Sequence, residues 1–406
     1  MNNKSPAETE TGYVLTLNGG SSSIKFALYE TESLKKFLDG KVDRIGLEGT
    51  NFTFTDSTGK KDSISLDKPD FKSASDFLLD WLEKETNFSR VNGVGHRVVF
   101  GMQHTKPQLI TPKLVDDLSG LTAYDPDHLP AEIELIKIVL KRFPNLNQVA
   151  CFDTAFHSEM PRVAKMLSIP RRFHKKGIHR YGFHGLSYAF LMEELARVAG
   201  IQTAEGRVVL AHLGNGASMA AVHDGKSVDT SMGFTPAAGL VMGTRPGDLD
   251  PGVAWYIMQS ENLSTKQFNH LINHESGLLG ISETSSDMRD LLEAESDDAQ
   301  AAEAVELFCY QARKWIGAFA AALGGIDTLV FAGGVGENSP VIRSRICHGL
   351  EFLGIELDEE RNRNNDSIIG KEEAKVAVRV IQTNEERMIA KYVIQTLNFT
   401  VKNKNH

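Results

Sequence analysis

Short apolar runs, each closed by a glycine-bearing turn, punctuate the chain and predict strands. Residues 13–17 and 24–29 flank NGGSSS (18–23), so they read as a hairpin, and a third run at 51–55 extends it into a meander. Helical spacing takes over near 73–85, where Phe77, Leu78, Trp81 and Leu82 share a face, and the apolar run 93–100 follows. Helix then strand recurs at 131–142 and 148–152.

The pattern then restarts. An apolar run at 207–213, the turn GNG (214–216) and a run at 218–223 repeat strand, turn and strand, with LNGGSS (17–22) facing LGNGAS (213–218). One such match is weak, since glycine and asparagine suit any two-stranded turn; a restart some 200 residues on is what a duplicated domain leaves behind. A long helix is predicted at 301–323 on Ala304, Leu307, Phe308, Ala312, Trp315, Phe319 and Leu323, then a buried strand at 328–331. GGVGEN (333–338) reads as a third glycine turn, with a helix beginning after Ser339 and Pro340. A strand at 376–381 leads to TNEE (383–386), where Thr383 or Asn384 is the expected N-cap of a helix carrying Met388, Ile389, Tyr392, Val393 and Leu397.

At 406 residues the chain suits two domains, and two domains imply a cleft. A formal charge of -9 argues against general nucleic-acid binding, although RRFHKK (171–176) with Arg180 is a local basic run, and an anionic small molecule fits better than a polyanion. Cys151, Cys309 and Cys347 form neither a paired framework nor metal-binding spacing, which suits a reducing cytoplasm. No apolar stretch is long enough for a membrane span, so no membrane association is expected, and the polar ends 1–11 and 399–406 carry no readable function.

Three glycine turns after apolar strands favour a nucleotide, yet neither GxxxxGK[ST] nor GxGxxG stands in a strand-to-helix setting. Arg97, inside an apolar run, is either a snorkelling edge residue or a buried guanidinium awaiting an anion. Arg245 lies on a loop of turn formers in MGTRPGD (242–248), where it is an ordinary exposed arginine or a second anion clamp. Asp153, directly after a predicted strand, suits Mg²⁺ or general-base work as well as an N-cap; Glu385 is a first-turn helix acid or a metal contact. Among the histidines beside glycines, His184 is the favoured functional one because Gly185 allows close approach. What these residues share is phosphoryl transfer to a small anion.

The ordered segments LNGGSSSIKF (17–26), GHRVV (95–99), FDTAFHSEMP (152–161), RYGFHGLS (180–187), HLGNGAS (212–218), SMGFTPAAGLVMGTRPGDLDP (231–251), DMRDL (287–291), FAGGVGENS (331–339) and TNEE (383–386) resemble the acetate kinase family of the actin-like ATPase superfamily. The resemblance implies an α/β fold of two duplicated RNase H-like domains with mixed sheets flanking a nucleotide cleft. It places the acyl-side domain at 1–154 plus 386–406 and the nucleotide-side domain at 155–385. The implied reaction is reversible transfer of the ATP γ-phosphate to acetate, giving acetyl phosphate and ADP, with Mg²⁺ (Mn²⁺ as a substitute) and a homodimeric assembly.

By matching motif, the resemblance assigns Asn18 and Glu385 to the metal and Lys25 to ATP. It assigns Arg97, Val99, His128, Phe183 and Pro236 to the acyl substrate. It makes Asp153, Arg97, His184 and Arg245 catalytic. His212, Leu213, Gly214, Asn215, Gly216, Asp287, Met288, Arg289, Gly334, Val335, Gly336, Glu337 and Asn338 are to surround the nucleotide. Acetate is already ionised at neutral pH, so Asp153 is better read as positioning Mg²⁺ or its water than as a base.

The chain departs from the family in two places. After Arg97 it reads VVFGMQ, where a histidine and two glycines are usual, and PDHLP (126–130) puts Asp127 where a leucine lines the acyl pocket. Two nearby carboxylates repel, so Asp127 is expected to turn to solvent, or else the preferred acid is not simply acetate. The rival readings are a propionate kinase and a nucleotide-driven conformational module, and the second leaves Arg97 and Arg245 without a purpose.

Overall fold

The computed structural model describes residues 12–20 and 22–399, so Ser21 of the first glycine turn and the ends 1–11 and 400–406 lie outside the described residues. The chain divides into two compact units: one runs to Ala155 and resumes at Asn384, and the other is Phe156–Thr383.

In the first unit, β1 (Tyr13–Gly19), β2 (Ser23–Glu30), β3 (Lys36–Asp43), β4 (Asn51–Thr55), β5 (Lys61–Ser65), β6 (Val91–Val98), β7 (Gln108–Leu109) and β8 (Gln148–Phe152) form one sheet, in the order β5-β4-β3-β2-β1-β6-β8-β7. β1 to β5 run antiparallel to their neighbours, while β1, β6 and β8 are parallel. The predicted meander is therefore present and two strands longer than read. β3 and β5 escape a hydrophobic scan because β5 is exposed throughout and β3 buries only Leu38 and Val42. Leu15, Leu17, Phe26, Phe52 and Val94 pack with Leu78 and Leu82 of the Phe71–Glu85 helix and Leu135 and Val139 of the Leu129–Arg142 helix.

Alternation along β6 places Gly93, Gly95 and Arg97 on one face. The glycines are there because the Glu385–Thr396 helix sits on them: a Cβ at Gly95 would lie 2.4 Å from Ile389, and one at Gly93 would lie 2.7 Å from Leu397. Asn384 caps that helix, its side chain accepting from the Arg387 N–H at 2.9 Å, so Asn384 is the N-cap of the two candidates.

The second unit repeats the plan. β9 (Val208–Leu213), β10 (Ala217–His223), β11 (Lys226–Thr230), β12 (Thr328–Ala332) and β13 (Ala377–Val380) lie in the order β11-β10-β9-β12-β13. β9 to β11 are antiparallel, whereas β9, β12 and β13 are parallel. This is the arrangement of β3-β2-β1-β6-β8, so the restart in the sequence is a repeated topology. Tyr188, Leu191 and Leu195 of the Gly185–Ala199 helix cover one face, and the Ala299–Leu323 helix packs on β10 and β11. GGVGEN corrects the sequence reading: Gly333–Asn338 is itself a helix, entered straight from β12, and a second helix, Pro340–Cys347, follows it. Gly333 makes the entry with φ +76, and a Cβ there would lie 2.6 Å from the Leu213 carbonyl.

Two buried histidines link this fold to pH. His96 shares a hydrogen bond with Gln148 at 2.8 Å; His157 Nε2 donates to the Phe183 carbonyl at 3.0 Å and its Nδ1 pairs with Ser227 Oγ at 2.8 Å. Burial pushes both down from 6.5 to about 4. Between those values the unfolded chain binds more protons than the folded one, so stability is lost as pH falls. The urea midpoint is expected to drop from pH 6.5 towards pH 4, and His157→Asn should remove part of that slope.

Candidate active site

In the first unit the candidate polar residues gather at the ends of three adjacent parallel strands. Arg97 is the penultimate residue of β6, Asp153 follows β8 and Asn18 stands in β1. Arg97 donates to one oxygen of Asp153 from Nη2 (2.5 Å) and Nε (3.0 Å), and to Asn18 Oδ1 from Nη1 (3.3 Å). Asp153 is fully buried and the Arg97 side chain is 16% exposed. Of the two readings for Arg97, the edge residue is excluded because β6 lies between β1 and β8; the guanidinium is partly buried and paired with Asp153. Burial disfavours its charge, but Asp153 and then Glu385 outweigh that, leaving its pKa raised. Lys25, directly opposite Asn18 in the β1–β2 ladder, is exposed.

Glu385 opens the C-terminal helix, next to Glu386, whose carboxyl is raised first by burial and then by Glu385. The same unit holds His128, whose Nδ1 pairs with the Asp125 carboxylate at 2.8 Å, and Val99, whose N–H is met by Glu132. Asp127 is half-buried. Glu132 is a functional candidate that sequence reasoning missed. It looks like any first-turn helix acid, and only its 2% exposure sets it apart.

The second unit gathers the glycine turns. His184 adopts a left-handed conformation (φ 58, ψ 23) at the start of its helix, a strained choice for a residue other than glycine. Its Nδ1 pairs with Ser218 Oγ at 2.8 Å, Ser218 also bonds Tyr188 Oη, and its ring stacks on His212 at 4.4 Å. His212 is held through Ser187 Oγ (2.8 Å), which continues to Thr383 Oγ1 (2.7 Å). Arg245 donates to the Pro236 carbonyl at 2.8 Å.

Arg245 and His184 converge on Gly216. A Cβ there would meet Arg245 Nη2 at 2.8 Å and His184 Nε2 at 3.3 Å. Asn215, in the same turn, fits because Gly243 has no side chain: a Cβ at Gly243 would lie 2.1 Å from Asn215 Oδ1 and 3.1 Å from the Ser286 carbonyl, which brings Asp287, Met288 and Arg289 to the same loops. Arg289 is exposed and paired with Asp287 at 2.6 Å.

The β9 and β12 turns adjoin, since a Cβ at Gly214 would come 3.7 Å from the Gly334 nitrogen. Glu337 ties the β12 turn to the segment after β13, its Oε1 accepting from the Gly333 N–H (2.8 Å) and the Thr383 N–H (3.0 Å). Arg343, fully buried, holds the far end by donating to the Gly336 and Glu337 carbonyls at 2.9 and 3.0 Å and to Asn362 and Asn365. With neutral acceptors in those bonds, burial lowers its pKa to about 10. Its only sequence signal was an arginine in a helix, which is unremarkable. A cavity of about 690 Å³ elsewhere in this unit, walled by Glu295, Arg313, Arg345 and Cys347, contains none of the candidate residues.

The comparisons with known proteins point the same way as this geometry. Residues 13–391 match the family model described as the acetokinase family. The chain belongs to the acetokinase family. An acetate kinase of Phocaeicola vulgatus is 40% identical over 395 residues, covering 95% of this chain and 99% of that protein. The crystal structure of Porphyromonas gingivalis acetate kinase matches with a TM-score of 0.86 at 37% identity, covering 95% and 100% of the two chains. A propionate kinase from Francisella tularensis matches with a TM-score of 0.89, also at 37% identity, covering 95% and 99%. The repeated mixed sheets are the actin-like ATPase fold of these acetokinase neighbours.

Gly216→Ala should drive a methyl group into Arg245 and His184. The expected loss, measured at saturating ATP, is on the order of 100-fold in kcat, because small misplacements near reacting groups are that costly.

Proposed function

We propose that this chain transfers the γ-phosphoryl group of ATP reversibly to acetate, giving acetyl phosphate and ADP. The observation that carries the reading is the convergence of Arg245 and His184 over Gly216, a fixed cation and a ring nitrogen at one point beside the nucleotide turns. An acetate oxygen attacks the γ-phosphorus while the bond to the bridging oxygen breaks, and the electron pair leaves with ADP. Arg245 and His184 stabilise the equatorial oxygens, where charge concentrates. Arg97 binds the acyl carboxylate, with Val99, His128, Phe183 and Pro236 shaping the acyl site. His212 to Gly216, Asp287 to Arg289 and Gly334 to Asn338 hold the nucleotide, and Lys25 reaches its phosphates. On this reading residues 1–154 with 386–406 form the acyl side and 155–385 the nucleotide side.

No group of three or more His, Cys, Asp or Glu side chains among the described residues is arranged to hold a metal. Mg²⁺ keeps its waters and takes one or two protein oxygens, which a carboxamide and a carboxylate can supply, together with substrate phosphates. Asn18 and Glu385 supply those oxygens, with Asp153 positioned by Arg97 to orient a bound water. When bound, the cation neutralises phosphate charge; Mg²⁺ is the proposed metal and Mn²⁺ a substitute.

The likeness to a propionate kinase supports propionate as a second acid, and one methylene is worth only about 1 to 3 kcal/mol of discrimination. A purely conformational nucleotide switch has no use for the buried Arg97 or the fixed Arg245. Free, buried Cys151, Cys309 and Cys347 suit a cytoplasmic setting, and among the described residues no helix is long and apolar enough to cross a membrane.

A hydroxamate assay with ATP, Mg²⁺ and acids from formate to butyrate is expected to give acyl phosphate with acetate at the highest kcat/KM; no product from any short acid sinks the reading. Arg245→Ala should cut kcat far more than ATP affinity, and equal losses would make it a nucleotide-binding residue only. The proposed homodimer has a candidate face in the helices Pro251–Ser260 and Thr265–His274, which bury no residue, with Trp255 67% and Tyr256 65% exposed. Sedimentation should show a dimer that Trp255→Glu converts to monomer.

A further inference from the structure

The ladder between β6 and β8 ends at Val98, whose carbonyl takes the Asp153 N–H at 3.0 Å. The next amide, Val99 N–H, lies beyond the ladder, and a buried donor left there without a partner is costly. Glu132 meets it with both carboxyl oxygens, at 3.0 and 3.2 Å, from the first turn of the Leu129–Arg142 helix. Val99 is 2% exposed and so is Glu132. The helix carrying Glu132 begins directly after His128, and the strand it fastens has Arg97 as its penultimate residue.

We propose that Glu132 is a positioning residue of the acyl-substrate site: by holding the Val99 amide it fixes the end of β6 and so the setting of Arg97 toward the acyl carboxylate. The proposal rests on the acyl-phosphotransfer reading above.

The charged groups facing Glu132 are Arg97 from β6, Asp153 after β8 and Asp125 from the segment before its helix. Arg97 is already engaged by Asp153, so a further ionised carboxylate would oppose the arriving acyl anion. Burial holds the Glu132 carboxyl well above the usual range, against the pull of Arg97. The acyl site is thus set up with Glu132 neutral, and ionisation at higher pH weakens acid binding.

The contact is read directly from the Val99 amide resonance in the full chain. In the wild type it should shift with pH as Glu132 ionises, and Glu132→Gln should abolish that shift; a shift that persists in the variant overturns the proposal. Kinetically, Glu132→Leu should raise KM for the acyl acid ~10-fold while kcat and the ATP KM change less than about twofold. Glu132→Gln should restore an acyl KM close to wild type that no longer rises with pH. Equal changes in both KM values, or an unchanged acyl KM, count against the proposal. Should Glu132→Leu fail to fold, the Gln variant carries both measurements. Absence of acyl phosphate from the wild type would instead overturn the kinase reading, while the Val99 resonance still reports whether the contact holds.

Discussion

The buried ion pair between Arg97 and Asp153 is the constraint around which the first unit's chemistry is arranged. Asp153 is fully buried, and its charge is tolerable there because Arg97 lies against it; removing one partner of such a pair typically costs about 3 to 5 kcal/mol because the other charge is stranded. The pair joins the ends of β6 and β8, and its third contact, to Asn18, reaches β1. Three neighbouring strand ends are therefore tied by a single side chain. The acidic side chains around it, Asp153 and Glu385 with the protonation-favoured Glu132, also set the local field, so each ionisable group there depends on the state of the others.

The second unit meets the same need without a buried ion pair. Its glycine turns are held by close backbone approach, which only glycine permits at positions 216, 243 and 333, and by side chains that bond main-chain groups. Glu337 fastens the start of the Gly333–Asn338 helix to the end of β13, and Arg343 fastens its far end. Arg343 meets neutral carbonyls and amides, whose summed dipoles replace a counter-charge. Rigid backbone donors and a fixed arginine are what a phosphate site requires, since reorganising them during reaction would cost rate.

Much of this was legible in the chain itself. β1, β2, β6, β8, β9, β10 and β12 are apolar runs with unambiguous ends, and the second hairpin announced the repeat. β3, β5 and β11 were not, because β5 is exposed throughout and β3 and β11 bury only two residues each, too few to make the alternation a scan detects. GGVGEN misled for a related reason: glycine marks a turn by local propensity, whereas packing against β9 makes those residues a helix. The candidate residues Arg97, Asp153, His184 and Arg245 stood out because a charged or polar group at a strand end or between turn formers has few structural purposes. Glu132, Asp125 and Arg343 did not, since charged residues in or near helices are ordinary and only burial distinguishes them.

Sequence by itself determined the hairpins, the repeat, the chemistry class and the family, because strand period, glycine placement and ordered motifs are local or linear properties. Tertiary structure alone decided which polar groups are buried and what they hold. It put Arg97 on Asp153, Glu132 on Val99 and Arg343 on the Gly333–Asn338 helix, contacts between residues about 6 to 56 positions apart. Burial and partner choice depend on three-dimensional packing, and the energies that make those groups matter arise only once water has been excluded around them.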